Sequence, residues 1–202
     1  MRRDEIPYFC QFASPELVGE MIARRAFADD PRWAESGAAT PAEYAFHART
    51  GCGMACLQMV LAAHGKPVPP LVELWRRCAA YGGYRPDGRK GLHYAGLKAF
   101  ADAELGIETR VAAPLALQEL QEVVRGDEVA FASVHRDIRT PGPAPGRGGH
   151  LVLVIDSRDG ELCFHNPSGH TPETRAFVWM EAERFGSFFA GRGIAVELPR
   201  AS

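Results

Sequence analysis

The chain carries five cysteines and seven histidines, and one of each stands where a thiol could act as a nucleophile and an imidazole as its base. Cys52 opens the run CGMACLQMVLAAH (52–64), which is apolar on nearly every side and stops at Gly65 and Pro67. A helix that is apolar all round is a buried one, so Cys52 is expected at the first turn of a central buried helix. Unpaired N–H groups and the helix dipole favour the thiolate there, and the thiolate is the nucleophilic form of cysteine. Gly51 and Gly53 let the backbone turn and a substrate chain approach. His150 follows Gly148 and Gly149 and begins the apolar run HLVLVID; a polar ring opening a buried strand needs a partner or a task. His47, His64 and His93 lie in or near the helical half, His135 ends a strand and His170 lies in a polar loop, so structural roles are the default for them. Cys52 and Cys56 have metal-pair spacing, but no second pair completes a zinc site. No metal and no cofactor is expected.

A catalytic base needs an orienting group. The sequence SRDGE predicts a hairpin with a three-residue loop, Arg158-Asp159-Gly160, in which Gly160 is left-handed. That loop pairs Ser157 with Glu161 and sets Asn166 opposite Val152. The side chains of His150 and Asn166 then share a face, on a diagonal of roughly 7–8 Å. A two-residue loop puts them on opposite faces. Asn166 also precedes Pro167 in HNPSG, where it is expected to cap the turn.

These residues must be held by a scaffold, and the chain divides into two halves. Helices are predicted over 15–28, 52–64, 70–80 and 91–104, with irregular surface structure over 29–44. A strand over 106–113 and a helix over 114–125 follow. The second half holds short runs rich in Val, Ile, Leu and Phe: EVAFASVH, HLVLVIDS, ELCFHN, TRAFVWM and GIAVELP, with one short helix in MEAERFGSFFAG. The layout is α+β, a helical N-terminal half with a buried central helix packed on an antiparallel sheet. The loop TPGPAPGRGG (140–149) can enter neither a helix nor a sheet interior, and it reads as a flap beside the site that His150 opens.

A length of 202 residues suits one domain, 1–202. The net charge of −2, without any long Lys/Arg run, gives no general pull toward nucleic acid or an anionic membrane. No stretch has the length of a membrane span or of a signal peptide. An odd, scattered set of cysteines predicts reduced thiols and a cytoplasmic location.

TGCGMACLQMVL, GLHYAGL, GGHLVLV and HNPSG, in that order, resemble the bacteriocin-processing cysteine peptidases that cut double-glycine leaders, and more closely the stand-alone bacterial peptidase-like proteins related to them. The resemblance covers residues 45–190. It implies a papain-like fold, Cys52 as nucleophile, His150 as base and Asn166 as the residue that orients it. The family's usual third residue is Asp; a Cys-His-Asn set works in papain-like enzymes. The family also has a Gln shortly before the Cys that helps form the oxyanion hole. AFHARTG has none, but IPYFCQF resembles the strand that carries it. Gln11 is therefore assigned that role, with 12–45 as an insertion, and His47 is the alternative donor. The implied function is a cysteine peptidase or amidase that cleaves a peptide amide through a thioester acyl-enzyme, with a peptide or protein as partner. Two alternatives stay open: another acyl transfer on the same fold, transglutaminase-like or acyltransferase, and an inactive peptide-binding module that keeps the groove.

Overall fold

The computed structural model describes residues 2–85 and 91–199. The helices of the first half are α1 (Val18–Arg24), α2 (Pro41–Ala48), α3 (Cys52–Ala63), α4 (Leu71–Ala80) and α5 (Tyr94–Phe100), the last running on into one π-helical turn. Strand β1 (Thr109–Ala112) and α6 (Leu117–Arg125) lead into β2 (Glu128–Val134), β3 (His150–Arg158), β4 (Glu161–His165), β5 (Val178–Glu181), α7 (Ala182–Phe188) and β6 (Phe189–Glu197). The six strands form one sheet in the order β1-β6-β2-β3-β4-β5, with every pair antiparallel. The α+β expectation holds.

Alternation along the strands gives the sheet two apolar faces. Phe131, Leu151, Leu153, Ile155 and Ile194 pack with α3, α4 and α5. Ala130, Ala132, Val152, Val154 and Phe164 pack with Leu120 and Val124 of α6 and with Phe185 and Phe188 of α7. Helix α3 is central: all its residues are buried except Cys52 and Ala62. Each fully buried Leu or Met there is worth about 1.5–3 kcal/mol, which fixes the helix and the sulfur at its start.

The stretch 29–44 is more ordered than composition implies, because it includes the start of α2. Pro41 occupies the first helical turn, and the Thr40 side chain accepts a hydrogen bond from the Glu43 amide. The Thr-Pro-x-Glu pattern is a helix start that the neighbouring Gly and Ala residues obscure. Preceding it, the buried Asp30 carboxylate accepts from the Ser14 amide and hydroxyl, the Arg32 amide and the Tyr44 hydroxyl. That hub ties residues 12–45 into one wall beside α2.

The β3–β4 hairpin corrects the expected register. Its loop is two residues, Asp159-Gly160, with φ of 53° and 81°, and it pairs Arg158 with Glu161, not Ser157 with Glu161. On its own that loop sends His150 and Asn166 to opposite faces. A bulge between Val154 and Asp156 inserts Ile155 and shifts the pairing, so that Val154 meets Phe164 and Leu153 meets His165. Beyond the bulge the register is the one that puts His150 and Asn166 together. The Arg3 guanidinium crosses from the N-terminus and donates to the carbonyl of Ile155, as well as to those of Glu128 and Gly126. A bulged carbonyl that would otherwise lack a ladder partner is thereby satisfied.

Candidate active site

The structure brings His150, Asn166 and Gln11 to one place, where the start of β3 and the loop after β4 lie beside the N-terminal segment, and it sets Cys52 next to Leu151. Cys52 is the first residue of α3 and is partly exposed. The helix comes close to β3 because residue 53 is glycine: a Cβ there would lie 2.7 Å from Leu92 Cδ2 and 3.2 Å from Leu151 Cδ1. Gly51 serves close approach too, its φ being an ordinary −78°, so the glycines beside Cys52 are there for contact and not for a sharp turn.

Burial pushes the Cys52 thiol above its ordinary value, while the amides of Leu151, Gly53 and Cys52 itself pull it down. Burial therefore outweighs the backbone N–H groups in the direction of the shift. Burial also lowers His150 to about 4, with Arg139, Arg136 and His135 adding to that effect and the Asn166 hydrogen bond opposing it. Burial thus works against charge on both groups.

His150 Nε2 lies 2.8 Å from Asn166 Oδ1. The orientation of the Asn166 amide is set independently, because Oδ1 also accepts from the Ser168 backbone N–H at 3.1 Å. Nε2 must then carry the proton, and Nδ1 keeps its lone pair. Asn166 is fully buried, and its Nδ2 has no hydrogen-bond partner among the described residues. No hydrogen bond joins the Cys52 thiol to the His150 ring among those residues; Cys52 meets β3 at the neighbouring Leu151 amide.

Ser168 and Arg139 complete the site, and neither stands out in the sequence. Ser168 Oγ lies 3.1 Å from His150 Nε2 and 3.3 Å from Asn166 Oδ1. Arg139 Nη1 donates to Ser168 Oγ at 2.7 Å. The spacing Asn-Pro-Ser, which returns a serine amide to the asparagine oxygen, is the signal that could have marked Ser168.

Gln11 bridges the two halves of the site. Its backbone N–H donates to Pro167 O at 2.9 Å, beside Asn166, and its Nε2 donates to Ala48 O at 2.7 Å, four residues before Cys52. Its Oε1 is buried without a partner among the described residues. Gln11, Thr50, His150 and Ser168 line one cleft of about 980 Å³. His47 does not line it; its ring packs on Trp75 with centroids 4.4 Å apart. A smaller groove of about 510 Å³ against β5 holds none of the sequence-predicted residues.

His165, on the face opposite Asn166, anchors the segment that carries Gln11. Its Nε2 donates to Ile6 O at 2.9 Å and its Nδ1 accepts from the Phe177 amide at 3.1 Å. Burial lowers it to about 4, the Ile6 bond opposing. Below pH 6.5 the unfolded chain binds protons at His150 and His165 that the folded protein refuses until about pH 4. Stability is thus full above pH 6.5 and falls as the pH drops toward 4. Urea unfolding at pH 5 is expected to give about 2 kcal/mol less per imidazole than at pH 7.5; equal values would mean that the rings are charged in the fold.

No protein-family profile matches the sequence, and no curated protein matches it. Solved structures do. The peptidase domain of Streptococcus ComA, a bi-functional ABC transporter involved in a quorum-sensing pathway, superposes with a TM-score of 0.52 at 19% identity, covering 74% of this chain and 93% of that one. A putative C39-like peptidase from Bacillus anthracis superposes with a TM-score of 0.51 at 15% identity, covering 76% and 90%. The fold is that of the C39 peptidase domains. Within this papain-like peptidase fold, the expected helix-on-sheet arrangement is present. No helix among the described residues is long and apolar enough to cross a membrane.

Proposed function

We propose that the protein is a cysteine peptidase or amidase acting through a thioester acyl-enzyme. The observation that carries this reading is the hydrogen bond between His150 Nε2 and Asn166 Oδ1, which leaves Nδ1 as a base beside a cleft that Thr50, two residues before Cys52, also lines. His150 Nδ1 takes the Cys52 proton as Sγ attacks the substrate carbonyl carbon. The resulting oxyanion is held by the second N–H of Gln11 Nε2 and by backbone N–H groups at the start of α3. Collapse breaks the C–N bond, the amine leaves with the proton from His150, and a thioester remains. Water, deprotonated by the same ring, hydrolyses it and restores the thiol. Burial works against a free thiolate, so proton transfer is proposed to accompany attack. The absence of a hydrogen bond between thiol and ring among the described residues favours a second reading, a binding module on the same fold.

A broad cysteine-directed peptidyl electrophile, followed by peptide mapping, separates the two. Cys56, Cys78 and Cys163 are buried, with Cys78 and Cys163 pushed up to about 12. Cys52 is expected to be modified before all of them and before the partly exposed Cys10, and His150→Ala is expected to slow that modification roughly tenfold or more. Modification of Cys10 first, or indifference to His150, would sink the catalytic reading.

A further inference from the structure

We infer that the cleft selects substrates bearing carboxylates: it binds an acidic peptide. The inference rests on the peptidase reading for the identity of the cleft, but not for its charge. Four arginines line the cleft, Arg25, Arg49, Arg136 and Arg139, against one carboxylate, Asp137. They come from three separate places: the end of α1, the end of α2 and the 3-10 turn after β2. In a chain of net charge −2, this is a local reversal of sign.

These arginines differ in their pairing from seven others of the chain. Arg2, Arg24, Arg32, Arg76, Arg77, Arg110 and Arg158 each have a carboxylate within 4 Å. Among the described residues, none of the four cleft arginines has one. Arg139 is partly buried as well: burial pulls its guanidinium below the ordinary value, Asp137 opposing and Arg136 adding to the pull. Uncompensated guanidinium groups facing a concave wall of lowered dielectric attract anions from solution and bind carboxylates in the fork geometry that arginine favours. Phe12, Ile22, Phe27 and Phe46 share the same cleft, with Phe12 and Phe27 stacked at 5.6 Å. An apolar wall beside guanidinium groups suits a peptide that alternates apolar and acidic side chains. It suits a nucleic acid less well, since that needs a continuous basic track.

The wall that carries Arg25 lies in residues 12–45, the segment read as an insertion and held by the Asp30 hub. The insertion would thus add substrate selection to a common fold.

Binding tests this without requiring turnover. Fluorescein-labelled decapeptides of alternating Leu and Glu, and their Leu/Lys counterparts, are titrated by anisotropy into the Cys52→Ala protein. The acidic peptide is expected to bind roughly tenfold tighter than the basic one, and to weaken several-fold between 50 and 200 mM salt. The double variant Arg49→Glu/Arg136→Glu changes two exposed side chains, and is expected to unfold at the same temperature and to lose that preference. Amidating the peptide C-terminus assigns the source: unchanged binding points to the Glu side chains, and lost binding to the terminal carboxylate. Equal affinity for the two peptides, or a double variant that keeps the preference, overturns the inference. So does displacement of the acidic peptide by an equimolar oligothymidylate, which would indicate a nucleic-acid site. Acidic-peptide binding without any modification of Cys52 in the native protein would refute the peptidase reading and leave this one standing.

Discussion

Replacing Cys52 by Ala is expected to lower turnover of any amide substrate to the background, a loss of roughly a thousandfold or more, and His150→Ala is expected to cost nearly as much. The two losses should not add, because in the proposed mechanism the residues act in one step: the sulfur attacks as its proton leaves. Burial pushes the thiol above its ordinary value and His150 to about 4, and so works against a standing thiolate in a protein that lacks the base. Cys52→Ala should leave the fold largely intact, since Cys52 is partly exposed, whereas His150→Ala empties a buried site and frees Asn166 Oδ1, so it is expected to cost some stability as well. Steady-state assays with matched thermal unfolding check both statements. A Cys52→Ala protein that retains more than about a tenth of the activity would move the chemistry to another group.

Asn166→Ala is expected to reduce turnover by roughly ten- to a hundredfold while leaving measurable activity. The mechanism is orientation. Asn166 Oδ1 fixes the proton on His150 Nε2 and so turns the Nδ1 lone pair toward the cleft. Without it, the ring samples both tautomers and more than one rotamer. The same oxygen receives the Ser168 amide, so the variant should also lose about 1–3 kcal/mol of stability from an unsatisfied buried donor. Asn166→Asp behaves differently. It keeps the acceptor, replaces the orphaned Nδ2 with an oxygen, and places a carboxylate beside the ring. An opposite charge at that distance favours the imidazolium, so the acid limb of kcat/KM should move to higher pH while turnover is largely retained. Wild-type activity in Asn166→Ala would make the residue only a turn cap. An unmoved acid limb in Asn166→Asp would show that the limb does not belong to His150.

Much of this protein was legible in one dimension because the relevant physics is local. The run from Cys52 to Ala63 is apolar all round, and only a buried helix satisfies such a run. The alternation in β2, β3 and β6 specifies strands with two covered faces. The glycines and prolines of 140–149 exclude regular structure, whatever surrounds them. Candidate residues Cys52 and His150 could be named from such patterns, Asn166 from an expected hairpin register, and Gln11 only through the family resemblance.

What no local pattern contains is the register and the environment. The hairpin loop is two residues, and the bulge at Ile155, with its carbonyl held by Arg3 from the far end of the chain, is what returns Asn166 to the face of His150. Ser168 and Arg139 join the site only because the loop after β4 folds back beneath the turn after β2. Gln11 reaches the cleft instead of His47 because Pro167 and Ala48 grip it from both sides. The helix N-terminus that favours a thiolate at Cys52 is a local feature, but desolvation depends on everything packed around the sulfur and works against it. Sequence determined the element types and the chemically capable residues, since both follow from neighbours a few positions apart. The tertiary structure decided which of them meet and beside which charges, because those depend on contacts between residues from 16 to more than 150 positions apart.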